Sequence, residues 1–271
     1  VRGGADAPIN LAGRRGNCRH HQRNRDEILD SRTITTSLLG EAVAQCEQPP
    51  KVWINSSTAT IYRHAEDRPQ DEVEGEIGEG FSVEVAKAWE KAFFGARVPG
   101  TVRKVAMRTS IVLGREEGTA LQVLLRLARL GLGGRMGSGR QRVSWIHEDD
   151  FCRAVEWLIR HPEIDGIVNV GSPAAVTNRE LMAAVRGAAP LLATPRPSLK
   201  LFTPLAHWKR LMDPLPKNTP RGSGAWVASF GILFDDQKTR PGPRFSRANQ
   251  DGVGSTTQID IDLFLALQDE W

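Results

Sequence analysis

Between Ala5 and Ala188, short apolar runs alternate with longer segments whose apolar residues recur at helical intervals. The runs in Ala5–Gly13, Lys51–Ser57, Thr101–Thr109 and Gly166–Val170 have the length and composition of buried strands. The stretches separating them are far too long for hairpins. Strands joined in this way run parallel, with the intervening helices crossing over and covering the sheet. The expected fold class is α/β, a doubly wound parallel sheet.

The same spacing places the helices. The first runs from about Asp26 to Cys46, carries Ile28, Leu29, Leu38, Leu39 and Val43, and stops before Pro49-Pro50. Phe81–Ala96 sets Val85, Trp89 and Phe93 on one face, and Thr119–Leu130 has a leucine face. Two more are expected over Glu148–Arg160 and Thr177–Ala188, the latter with Thr177 or Asn178 as N-cap. Arg14–Arg25 reads as loop or the beginning of a helix, and Arg63–Gly80 as a loop rich in acids, prolines and glycines. Past Pro190, prolines interrupt the chain repeatedly and Gly222–Asn249 shows no sustained period. Residues 1–188 are therefore expected to form one unit. Residues 189–271 are expected to be a small, irregular C-terminal region, poorly ordered from 213 onward, with a short helix at most over Ile259–Leu267.

The totals narrow the function classes. Of 271 residues, 40% are hydrophobic and 25% charged, and no apolar run approaches the roughly 18 residues of a membrane span. The opening VRGGADAPINLAG lacks the sections of a signal peptide, so cytoplasm is the default expectation. Cys18, Cys46 and Cys152 form no close pair, and no histidine has a partner at ligand spacing, so no metal site is expected. The net charge of +4 comes with scattered arginines and no aromatic-basic stripe. That pattern favours a nucleotide phosphate over a nucleic-acid duplex as anionic partner, with solvated surface as the role of most arginines.

Gly131–Asp150, GLGGRMGSGRQRVSWIHEDD, concentrates the unusual chemistry. Five glycines fall between positions 131 and 139, and each loses extra backbone entropy on ordering. A loop of that kind suits close approach to a bulky ligand; a mobile connector is the plain alternative. A short alternating strand, Val143–Ile146, and an acid-led helix follow.

Several motifs then fall in one order: Asn10-Leu11-Ala12-Gly13, Ser56-Ser57-Thr58-Ala59-Thr60-Ile61-Tyr62, Arg108-Thr109-Ser110-Ile111-Val112-Leu113-Gly114, Gly137-Ser138-Gly139-Arg140-Gln141, Trp145-Ile146-His147-Glu148-Asp149-Asp150 and Asn169-Val170-Gly171-Ser172-Pro173. Over about residues 5–188 this resembles the extended short-chain dehydrogenase/reductase superfamily, in its atypical nucleotide-sugar epimerase-like branch. The resemblance implies a Rossmann-like fold binding NAD(P) across its switch point. It also implies oxidoreduction or epimerisation of a nucleotide-linked or other small polar substrate. On that resemblance Asn10, Ala12, Gly13, Ser110 and Ile111 lie along the cofactor, and Thr58 hydrogen-bonds the reacting oxygen. Arg140 would face a substrate phosphate and Trp89 would line the substrate pocket. The plain readings stay open beside these: Thr58 as a turn cap, Arg140 as a solvated loop residue, and Trp89 as a packed indole.

Two departures from the family pattern stand out. No GxxGxxG turn precedes Ala5, which implies a chain beginning after the first three strands of the fold, with the dinucleotide site impaired. The tyrosine–lysine pair of the family falls on Ser82 and Ala86 when Glu90 is aligned, and the lone tyrosine, Tyr62, lies elsewhere. A non-catalytic nucleotide-binding or partner-binding scaffold is the alternative function.

Overall fold

The computed structural model describes residues 6–189, apart from Asn17, Arg19, Glu117 and Ala174. The readings placed on residues 190–271, and on the first residues of the opening run, lie outside the described residues.

Strands β1 (Ile9–Asn10), β2 (Val52–Thr58), β3 (Arg103–Thr109) and β7 (Gly166–Val170) form a parallel sheet in that order. The expected parallel crossovers are present. Helices α1 (Gln22–Ala44) and α2 (Phe81–Gly95) cover one face, and α4 (Glu148–Arg160) covers the other. Between them in the chain come β4 (Ile111–Leu113), α3 (Ala120–Arg129), β5 (Arg142–Val143) and β6 (Trp145–His147). After β7 follow β8 (Val176–Thr177) and α5 (Asn178–Ala188). β4 pairs with β6 in parallel, and β5 pairs with β8 antiparallel.

Strand alternation decides what each helix meets. Val52, Ile54, Val105, Met107, Val168 and Val170 point to α4, where Ala154, Val155 and Leu158 close an apolar layer. The residues between them face α1 and α2, and their character changes along the strands. Trp53 and Ala106 pack with Val43, Phe93 and Val102. Further toward the carboxyl ends the same face carries Asn10, Asn55, Ser57, Arg108 and Asn169, all buried. A strand face that is apolar at one end and buried polar at the other needs partners for those polar groups. The site is built from them.

The helix ends are chemically explicit. Lys104 Nζ donates to the carbonyls of Phe93, Phe94 and Ala96 at 3.1, 3.1 and 2.5 Å, satisfying acceptors that the end of α2 leaves open. Thr177 heads α5 in a reciprocal capping box with Glu180. Thr177→Ala is expected to lower stability by about 1 kcal/mol, read from denaturant midpoints; an unchanged midpoint would deny the box any weight.

The expected run Val143–Ile146 is two short strands broken at Ser144, and the glycine-dense stretch has local structural causes. Gly131 sits at φ 81° just past α3. Its N–H bonds Ala128 O, and the Leu132 N–H bonds Leu127 O, the paired closure that a left-handed glycine allows at a helix end. A Cβ on Gly133 would lie 2.8 Å from Ala128, so the backbone passes directly over α3.

Candidate functional site

Two constellations gather at the carboxyl ends of β1, β2 and β3. The first is closed. Asn10 and Asn55 are register partners on β1 and β2, and Asn10 Nδ2 donates to Asn55 Oδ1 at 2.7 Å and to Thr36 Oγ1 at 3.0 Å. Trp89 Nε1 donates to the same Thr36 hydroxyl at 3.0 Å, so one threonine on α1 ties β1 to α2. The side-chain oxygen of Asn10, Oδ1, accepts the Ala12 N–H at 3.1 Å, which fixes the backbone of the Leu11–Gly13 loop.

One row further along, Ser57, Arg108 and Asn169 are neighbours on β2, β3 and β7. Arg108 meets Glu90 of α2 through two nitrogens, both at 2.9 Å, and Ser57 Oγ donates to Glu90 Oε1 at 2.6 Å. Arg108 Nη1 donates to the Tyr62 hydroxyl at 2.8 Å, which in turn donates to Asn169 Oδ1 at 3.0 Å. Glu72, on the 63–80 loop, accepts the Asn169 N–H at 2.6 Å. Burial acts against the Arg108 charge, yet hydrogen bonds to Glu90 and Tyr62 carry its pKa above the ordinary arginine value. Burial raises the pKa of both Tyr62 and Glu72. Tyr62 is therefore a neutral phenol engaged as acceptor and donor, the core role for this lone tyrosine.

The second constellation is open. A cleft of about 130 Å³ is lined by Ile28 and Arg32 of α1, Thr58 and Thr60 after β2, and Phe81, Ser82, Val85 and Trp89 of α2, with Gly16 and His20 at its rim. Thr58 Oγ1 accepts the Thr60 N–H at 3.2 Å and lies 3.0 Å from Thr60 Oγ1, capping the turn 59–61. Either hydroxyl of this Thr58–Thr60 pair can be the donor, and both residues line the cleft. Ser82 lines the wall, while Ala86 is fully buried.

The residues singled out from sequence are distributed unevenly about this cleft. Thr58 and Trp89 line it together. Asn10 reaches it through Thr36 and Trp89. Gly13 packs on Arg32, whose Cζ would lie 3.1 Å from a Cβ at that position. Ser110, at the end of β3, is enclosed beside Gly171 and its hydroxyl has no partner among the described residues. Ile111 pairs with Trp145 and is partly exposed. Arg140 is exposed and lies 3.4 Å from Glu66, across from the glycine-dense stretch on the 63–80 loop. His147 caps α4 by accepting the Asp149 N–H. Among the described residues no group of His, Cys, Asp or Glu could hold a metal ion, and no helix is long and apolar enough to cross a membrane.

Arg32 and Thr36 escaped the sequence reading, and Glu90, Arg108 and Asn169 entered it as motif residues without a role. The signal was there: polar residues at every second position in otherwise apolar strands (Asn55, Ser57, Arg108, Asn169), and Glu90 in register with Val83, Ala86 and Phe93 on α2.

Parallel strands delivering small-residue and hydroxyl-bearing loops to one crevice define a Rossmann-like α/β protein. The family model for the NAD dependent epimerase/dehydratase family matches residues 2–171. The chain belongs to that family. The mouse epimerase family protein SDR39U1 is 35% identical over 192 residues, spanning 68% of this chain and 63% of the relative. The Mycobacterium leprae epimerase family protein ML0860 is 37% identical over 180 residues, spanning 66% of this chain and 57% of that protein. This chain thus spans less than two thirds of either relative. The crystal structure of human SDR39U1 (isoform2) with NADPH superposes with a TM-score of 0.61 at 34% identity, covering 68% of this chain and 63% of the other.

Proposed function

We propose that the chain is an NAD(P)-dependent oxidoreductase or isomerase of the epimerase family, acting on a nucleotide-linked or other small polar substrate. The observation that carries this reading is the pairing of the fixed Leu11–Gly13 backbone with the cleft-lining Thr58 hydroxyl at adjacent strand ends. The NADPH in the crystal structure of human SDR39U1 supports it as well. Residues 1–188 form the cofactor unit in this reading, and 189–271 a divergent C-terminal region.

The residues present fit a dinucleotide in part. The Ala12 amide is already held by Asn10, which leaves the exposed loop face for a ligand to approach. Ser110 and Ile111 stand at the end of β3, where the enclosed Ser110 hydroxyl lacks a partner. Those residues with Asn10, Ala12 and Gly13 would hold the cofactor, and Arg140 would meet a substrate phosphate. The cofactor, when bound, supplies hydride transfer. Thr58 donates a hydrogen bond to the reacting substrate oxygen, Trp89 and Phe81 exclude water from one side, and the Glu90–Arg108–Tyr62 relay holds the turn bearing Thr58.

A second reading, a nucleotide-binding protein without turnover, draws on the cleft itself. Its lining carries Ser82 where the family has tyrosine, and Ala86 offers no amine. Thermal melts with and without NADPH test the cofactor reading. At about a hundred times Kd the ligand contributes about 2.7 kcal/mol, which raises Tm by about 5–10 °C in a domain of this size. No shift at millimolar NADPH would refute binding; a shift without NADPH oxidation against carbonyl substrates would favour the second reading.

A further inference from the structure

Arg14, Arg25 and Arg32 lie on or next to α1, and they differ in one respect. Arg14 Nη1 lies 2.8 Å from Glu27 Oε2, and Arg25 Nη2 lies 3.6 Å from Glu84 Oε2 while its guanidinium stacks 4.4 Å over Phe81. Arg32 has no carboxylate partner among the described residues. It is half-buried, its Cζ sits 5.2 Å over the Trp89 ring, and Nη1 donates to the Ile28 carbonyl at 2.9 Å. Burial alone pushes its pKa down, with no counter-charge acting to raise it.

A guanidinium has five N–H donors in a fixed fork, so one bond to a carbonyl leaves most of that capacity unused. Holding such a charge part-way out of water without a counter-ion is unfavourable. The surroundings nevertheless fix it there. Trp89 supports one side and is itself held by Thr36; Gly13 lies close against the group, where a Cβ would sit 3.1 Å from Cζ. The other lining groups are apolar (Ile28, Phe81, Val85), hydroxyl-bearing (Thr58, Thr60, Ser82), or belong to Gly16 and His20, whose ring Nε2 lies 3.1 Å from the Gly16 carbonyl.

From this geometry we infer that Arg32 is the anion-recognition residue of the cleft, and that the ligand it takes is a small organic carboxylate with an apolar or aromatic body. Two parallel N–H···O bonds match a planar carboxylate to the free edge of the fork. Among the described residues one guanidinium without a carboxylate partner lines the cleft, which matches a carboxylate monoanion better than a phosphate dianion. The apolar wall accepts the body of the ligand, and the Thr58 and Thr60 hydroxyls line the same space. The inference deepens the proposed function by naming a substrate class for the same site, and it rests on that reading only for the reaction, since binding stands by itself.

The test uses the full chain and two probes of nearly equal shape, phenylacetate and its neutral amide, 2-phenylacetamide, titrated by calorimetry. The expected result is saturable phenylacetate binding with the amide at least tenfold weaker. Arg32→Gln should weaken phenylacetate at least tenfold while leaving the Tm of the ligand-free protein unchanged or higher, because an uncompensated charge has been removed. A merely structural arginine would instead lower Tm. Arg32→Lys keeps the charge and loses the planar fork, so it should bind phenylacetate with intermediate affinity. Equal binding of acid and amide by the unaltered protein would overturn the inference without recourse to any variant. So would full phenylacetate affinity in Arg32→Gln, or inorganic phosphate binding as tightly as phenylacetate. NADPH binding distinguishes the two proposals: its loss with phenylacetate binding intact fails the cofactor reading alone, and the converse fails this inference alone.

Discussion

Replacing Arg108 with methionine is expected to cost about 3–5 kcal/mol of folding stability, the range for stranding one member of a buried ion pair. The group left behind is the Glu90 carboxylate, which is 9% exposed and would retain a single hydrogen bond from Ser57. Tyr62 would also lose the donor on its hydroxyl and keep only its bond to Asn169. Most of the cost therefore comes from an unpaired charge, with little from lost contact area. That assignment can be checked by the double variant Glu90→Leu with Arg108→Met. Removing both charges should recover at least about 2 kcal/mol relative to Arg108→Met alone, since apolar groups of similar volume commonly replace a buried pair at small cost. Equilibrium urea unfolding of the three variants measures the difference. If the double variant is as unstable as the sum of its singles, the pair has no coupling and the relay does not hold the turn.

The elements were legible in the sequence because their signals are local. GIVNV reads as a strand from its β-branched residues, and the helix Glu148–Arg160 carries its own acidic start and apolar period; both have those bounds in the structure. The first strand was less legible. In the described part of the run Ala5–Gly13 only Ile9–Asn10 is strand, and the chain leaves the ladder after Asn10, whose side chain accepts the Ala12 N–H. The antiparallel β5–β8 pair was not foreseen, since two-residue strands carry no periodicity. At the site, sequence pointed to residues that end strands and missed those that connect them. Thr58 and Trp89 fall on one cleft, but what joins the elements is Thr36, Glu90, Arg108 and Asn169, whose partners lie between 18 and 107 positions away. Spacing within one element cannot reveal a contact of that kind. Arg32 shows the limit most clearly. Among many scattered arginines, only placement against Trp89 and Gly13, away from every described carboxylate, separates it from a solvated one.

Phe93→Ala carries the other large expected effect, and it tests the apolar half of the same sheet face. Phe93 is fully buried on α2 and meets Trp53 edge-on, with ring centroids 4.7 Å apart. Removing the ring deletes that aromatic pair and opens a cavity against Val43, Val102 and Ala106, which strand and helix backbones prevent from collapsing. The loss should be about 3–5 kcal/mol, or a fall in Tm of about 10 °C or more. Phe93→Leu fills most of the space and should cost less than half as much. Position along the helix gives the result its diagnostic value. Phe93 and Trp89 are one turn apart on α2, yet Trp89 is held by a hydrogen bond from its indole to Thr36 while Phe93 is held by packing alone. If the helix behaves as a rigid strut between core and cleft, Phe93→Ala should also weaken phenylacetate binding through displacement of Trp89 beneath Arg32. If phenylacetate affinity stays unchanged while stability falls, the Asn10–Thr36–Trp89 cluster fixes the cleft independently of the apolar core. Calorimetric titration of Phe93→Ala well below its Tm separates the two cases.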